Sequence, residues 1–67
     1  MNQTDRVLDY IKAHGSITQM DATNELGISR LASRVHDLRA AGFPVTKQME
    51  KGRNRLGDVC RYARYSL

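Results

Sequence analysis

Apolar positions along the chain recur at two different periods, and the change falls at Pro44. Before it the spacing is three and four residues: Val7, Leu8 and Ile11, then Ala22 and Leu26, then Leu31, Val35 and Leu38. Such spacing lays an apolar stripe along one side of a helix. After Pro44 the spacing is two. Val45, Lys47 and Met49 alternate with Thr46, Gln48 and Glu50, and Val59, Arg61, Ala63 and Tyr65 alternate with Cys60, Tyr62, Arg64 and Ser66. That alternation predicts strands.

Caps and breakers set the boundaries. Thr4 or Asn2 caps a first helix running to about His14, with Tyr10 beside its buried face, and Gly15 ends it. Ser16 and Ile17 leave room for a strand of two or three residues. Thr18 caps a short second helix, Gln19 to Leu26, and Asp21 three residues on forms a weak capping box. Ala22 is small enough for two helices to cross closely there. Gly27 permits a tight turn, Ile28 sits beneath it, and Ser29 caps a third helix over residues 29–41. Gly42 then supplies a left-handed residue and Pro44 forbids continuation. The two later runs form one antiparallel hairpin joined by KGRNRLGD. This connection is either a long flexible loop, or the strands continue to a tight turn at Gly57-Asp58 with Gly52 as a bulge. A two-stranded hairpin is not stable alone, so Phe43, Val45, Tyr65 and Leu67 are expected to pack on the helices.

The order helix, short strand, helix, turn, helix, strand, basic loop, strand is an α+β fold, that of the winged helix-turn-helix. With 67 residues there is room for one domain, over 1–67. A chain of this size buries only about 60% of its unfolded surface, so its core is thin. The single Cys60 excludes an internal disulfide framework. No apolar run approaches the ~18 residues that a membrane span needs. The amino terminus lacks the shape of a signal peptide, and a cytoplasmic protein is expected.

Charge sharpens the picture through its position. The net charge is +4. Residues 1–43 are balanced: Arg6, Lys12, Arg30, Arg34 and Arg39 face Asp5, Asp9, Asp21, Glu25 and Asp37. Residues 44–67 carry Lys47, Lys51, Arg53, Arg55, Arg61 and Arg64 against Glu50 and Asp58. The whole excess lies in the last third, which points to a polyanionic partner.

The run ITQMDATNELGISRLASRVHDLRAAGFPV, followed by NRLGDVCRYARYSL, resembles the small helix-turn-helix domain proteins common in bacteriophages and prophages. The shared pattern is an IT-A-LGI-RL-R-LR-G core, then a hairpin ending in an aromatic-rich RY-L. The likeness covers nearly the whole chain, from about Ile17 to Leu67. It implies that the third helix enters the major groove of DNA, and that the wing at 50–58 lies along the backbone or in the minor groove. Gly27 and Leu31 stand closer together than in the common helix-turn-helix pattern. That predicts a tighter turn and a rotated exposed face.

Roles follow if duplex DNA is the partner. Opposite the apolar stripe of the third helix lie Arg30, Ser33, His36, Asp37 and Ala40, with Arg34 and Arg39 on the flanks. Arg30 and Arg34 suit bidentate contact with guanine. Ser33 and His36 suit base or phosphate contact, and Asp37 suits a cytosine amino group or the orienting of Arg34. Lys47, Lys51, Arg53, Asn54, Arg55 and Arg61 are backbone or minor-groove candidates. Thr18 and Gln19 open a helix whose free N–H groups suit a phosphate, although plain capping is the simpler reading. The plain alternative for the whole set is a solvated face, with Asp37 paired to Arg34.

Catalysis is weakly supported. His14 and His36 are isolated, so no metal site or cofactor is expected. Ser16, Ser29 and Ser33 lack the strand-elbow setting of a nucleophile, and Tyr62 has no cluster of catalytic arginines and histidines around a cleft to make it one. Two binding functions remain besides a small transcription regulator. One is an excisionase-like recombination directionality factor. The other is a winged module that docks on a protein and blocks a host factor, for which Met20 and Leu56 are the obvious apolar candidates. Clustered cations favour DNA over a protein partner. One such domain buries little surface, so a monomer or weak homodimer pairing on DNA is expected.

Overall fold

A computed structural model describes residues 2–67. The elements in chain order are helix α1 (Gln3–His14), strand β1 (Ser16–Thr18), helix α2 (Gln19–Asp21) continuing as a π-helical turn (Ala22–Leu26), helix α3 (Leu31–Ala40), and strands β2 (Thr46–Arg53) and β3 (Val59–Ser66). The winged helix-turn-helix architecture is as expected. The sheet, however, has three strands in the order β1-β3-β2, all antiparallel. The short link after the first helix is therefore a sheet strand, with Ile17 paired to Tyr65.

Local chemistry explains most boundaries. Of the two candidate caps for α1, Asn2 is the one used: its Oδ1 accepts the Asp5 N–H at 2.9 Å. Thr4 lies inside the helix. Asp5 in the first turn and Lys12 in the last complement the helix dipole. The capping box at α2 is complete, with Asp21 N–H donating to Thr18 Oγ1 (3.2 Å) and Thr18 N–H donating to Asp21 Oδ2 (3.0 Å). Beyond it the helix widens into a π turn, closed by the Gly27 N–H donating to the Ala22 carbonyl, which the Ile28 N–H also reaches at 3.0 Å. Gly27 at φ 67° permits that reversal.

Helix α3 starts later than its sequence predicts. Ser29 does not cap it, and Arg30 occupies the cap position without a side-chain bond. The stabilising group comes from another helix: Gln19 Oε1 accepts the Leu31 N–H at 3.0 Å. The same side-chain amide donates to the Ile28 carbonyl at 2.8 Å and to Thr23 Oγ1 at 3.0 Å. One side chain thus closes the whole turn between α2 and α3. At the other end Gly42 (φ 97°) turns the chain, and the Phe43 N–H bonds the Leu38 carbonyl.

The core joins all three helices to one face of the sheet. Val7 and Ile11 of α1, Ala22, Ile28, and Leu31, Val35 and Leu38 of α3 are buried with Ile17, Val45 and Tyr65. Each fully buried aliphatic side chain contributes roughly 1.5–3 kcal/mol. Phe43 packs against this cluster, but Leu67 does not, being 48% exposed. Arg39 ties the end of α3 to the sheet by donating from Nε to the Val45 carbonyl at 3.1 Å.

The wing resolves the alternatives left by its sequence. The strands do continue, but without a bulge: Gly52 pairs with Cys60 and Arg53 with Val59. The turn is the five-residue loop 54–58, rather than a two-residue turn at Gly57-Asp58. Gly52 serves a different purpose. A Cβ there would lie 3.0 Å from the ring of Tyr62, so its missing side chain leaves room for that ring.

Candidate nucleic-acid interface

Strand alternation and register together sort the wing into two chemically different faces. On one side Lys47 pairs with Tyr65, Met49 with Ala63, Lys51 with Arg61 and Arg53 with Val59. On the other, Gln48 pairs with Arg64, Glu50 with Tyr62 and Gly52 with Cys60. The first face holds Lys47, Lys51, Arg53 and Arg61 with no acid among them. The second is neutralised by Arg64, whose Nε donates to Glu50 Oε1 at 2.6 Å and whose Nη1 donates to Ser16 Oγ at 3.0 Å. This pair shifts both groups in the expected directions: the Arg64 hydrogen bond lowers the Glu50 pKa, and Glu50 raises that of Arg64. Arg64 is therefore part of the sheet, whereas Lys51 and Arg61 stand opposed and both exposed.

Like charges placed directly across a ladder are destabilising. A polyanion lying over them removes that penalty. Arg53 and Arg55 extend the cationic surface to the loop, where both are exposed. Arg53 Nη1 also donates to the Gly57 carbonyl at 2.9 Å, which fixes the guanidinium beside the turn. Asn54 holds the loop together, since its Oδ1 accepts both the Leu56 N–H (2.9 Å) and the Asp58 N–H (3.1 Å).

On α3 the candidate residues separate. Arg30 and His36 are exposed, and Ser33 is half-buried. Arg34 pairs with Asp37 at 3.3 Å, while Asp37 also accepts from Thr4 Oγ1 of α1 at 3.5 Å. The Arg34 Nε is buried without a hydrogen-bond partner. Asp37 thus links α3 to α1 while pairing with Arg34 of its own helix, and the Arg30 side chain, at the start of α3, has no ion-pair or hydrogen-bond partner among the described residues. Thr18 is buried, its hydroxyl and N–H both held by Asp21, and the Gln19 side-chain amide is taken up in the turn. An open groove separates α2 from the wing, with Gln19, Met20 and Asn24 on one wall and Arg55, Cys60 and Tyr62 on the other.

A family model described as the winged helix-turn-helix domain matches residues 2–67. The chain belongs to this family. No curated protein and no solved structure gave a significant match. Membership of the winged helix-turn-helix family points to DNA as the partner, since the family is one of DNA-binding modules that typically carry no catalysis. Among the described residues, no three His, Cys, Asp or Glu side chains come together as a metal ion would require, and no helix is long and apolar enough to cross a membrane.

The winged helix-turn-helix domain also exposes more apolar side chains than its sequence suggests. Met49, Val59 and Leu67 join Met20 and Leu56. Met49 and Val59 do not form a patch, because the Lys51–Arg61 pair stands between them in the ladder. Sequence reasoning also missed the role of Gln19. Its signal, a bond to a residue twelve positions away, has no local signature.

Proposed function

We propose that this winged helix-turn-helix domain is a small transcription regulator of the phage and prophage kind, binding duplex DNA. In this reading α3 enters the major groove, and the wing grips the phosphate backbone or minor groove. The observation that carries it is the acid-free wing face of Lys47, Lys51, Arg53 and Arg61, with Lys51 and Arg61 directly opposed. Counter-charge from phosphates satisfies that arrangement, and no side chain of the wing does so. Arg30, Ser33 and His36 are the base-reading candidates, because Arg34 and Asp37 already have partners in the fold. A protein-docking surface would need continuous apolar area, which the interleaved cations interrupt. An excisionase-like role keeps the same contacts and adds bending of the duplex.

The test is fluorescence anisotropy with a randomised duplex across a salt series. Affinity is expected to fall with a log–log slope of roughly −3 to −5, as several phosphates are neutralised. Absence of binding even at low salt would overturn the DNA reading, and a search for a protein partner would follow.

A further inference from the structure

The apex of the wing carries an apolar residue where a solvated loop needs none. Leu56 is 86% exposed, the most exposed large hydrophobic residue among those described. A lone surface leucine is ordinary. This one differs in its setting, because it sits next to Arg55, three residues from Arg53, at the tip of a loop that is internally bonded.

The bonding is specific. Asn54 Oδ1 accepts the Leu56 N–H, fixing the backbone of the leucine itself. It also accepts the Asp58 N–H, while the Asn54 N–H donates to the Asp58 carbonyl at 3.0 Å. The Gly57 N–H donates to the Asn54 carbonyl at 3.0 Å, and Arg53 Nη1 holds the Gly57 carbonyl. Gly57, at φ 84°, supplies the left-handed residue that closes the loop. Asp58, the acid of this region, stands at the foot of the loop rather than beside its apex. The result is a stiff tip presenting one branched aliphatic side chain with guanidinium groups nearby.

We infer that Leu56 is a wedge that enters the minor groove and partly unstacks one base step, bending the duplex. The inference rests on the DNA-binding reading above and deepens it. Stacked base faces are apolar, and leucine is among the side chains that separate them in minor-groove binders. Arg53 and Arg55, both exposed beside the tip, supply cations to the phosphates that border the narrow groove, so the wedge is pressed toward the base pairs. Rigidity is the further requirement, since a floppy loop would yield before the stack did. The Asn54 and Arg53 bonds meet it.

The experiment uses the full chain and a short A·T-rich duplex with one central TA step, end-labelled for energy transfer. Pyrimidine–purine steps open most easily. The wild-type chain is expected to raise transfer by shortening the end-to-end distance. Leu56→Ala is expected to bind with the same salt slope and lose that rise, whereas Leu56→Met keeps it. A duplex already unstacked by a central mismatch is expected to bind the wild type about tenfold more tightly, because its opening cost is gone, and to give Leu56→Ala no such gain. Wild-type binding that leaves the duplex straight, or equal bending by Leu56→Ala, overturns the wedge while leaving the DNA reading intact. Failure of the wild type to bind any duplex overturns both.

Discussion

Lys51 and Arg61 are register partners in the wing, so two cationic side chains project from directly opposite positions on one face of the sheet. Their juxtaposition is unfavourable for the free protein and favourable for a phosphate-bound one. Replacing both by alanine is therefore expected to act in opposite senses on folding and binding. Stability should rise by about 0.2–1 kcal/mol as the repulsion is lifted. The salt slope for duplex binding should shrink by about 2, one unit for each lost phosphate contact. Urea denaturation and anisotropy on the same double variant check both signs.

Gln19 offers a contrasting case. Its side-chain carbonyl accepts from Leu31 and its amide donates to Ile28 and Thr23, so it acts within the fold. Gln19→Ala is expected to destabilise the domain by about 1–2 kcal/mol, through loss of the helix cap and an unpaired Ile28 carbonyl. Its salt slope should stay that of the wild type. Weaker binding at every salt concentration with unchanged stability would instead make Gln19 a phosphate contact.

Base preference should reside in Arg30 more than in Arg34. Once a preferred duplex has been selected, Arg30→Ala is expected to reduce discrimination at one base pair by about 1–3 kcal/mol. Arg34→Met is expected to preserve that discrimination. It removes a buried Nε that lacks a partner, keeps an aliphatic stem of similar length, and gives up only a partly exposed ion pair. Competition binding against single-base variants of the duplex separates the two residues.

The Glu50–Arg64 pair predicts an acid limb of stability. The Arg64 hydrogen bond holds the Glu50 carboxyl below its ordinary value. The stabilisation is therefore present above the unfolded-state value of about 4.3 and is lost as pH falls through the lower folded-state value. Glu50→Gln is expected to flatten this part of the curve, measured as melting temperature against pH from neutral to acid. If both proteins lose stability in parallel over that range, the pair is not the source of it.

Several elements could be recognised from short stretches of sequence because their causes are local. The Asn2, Thr18-Asp21 and Gly42 boundaries each depend on groups within a few residues, and the stripe of Leu31, Val35 and Leu38 depends only on helical period. Ser29 misled for an instructive reason. It has the right chemistry for a cap, but Gln19 reaches the Leu31 N–H first from across the turn, and the helix starts two residues later. Gly52 has the composition of a bulge, yet it pairs in register with Cys60, and its missing side chain makes room for the ring of Tyr62.

The sequence by itself determined the order of helices and strands, the change of period at Pro44, and the concentration of cations in the last third. Hydrophobic period and capping chemistry act over one or two turns of chain, and charge is counted without coordinates. Only the tertiary structure decided which cations are free. Arg64 bonds Ser16 across 48 positions and Glu50 across 14, Arg34 is drawn to Asp37, and Lys51 is left facing Arg61. Those partnerships depend on strand register and helix packing, which bring together groups far apart along the chain.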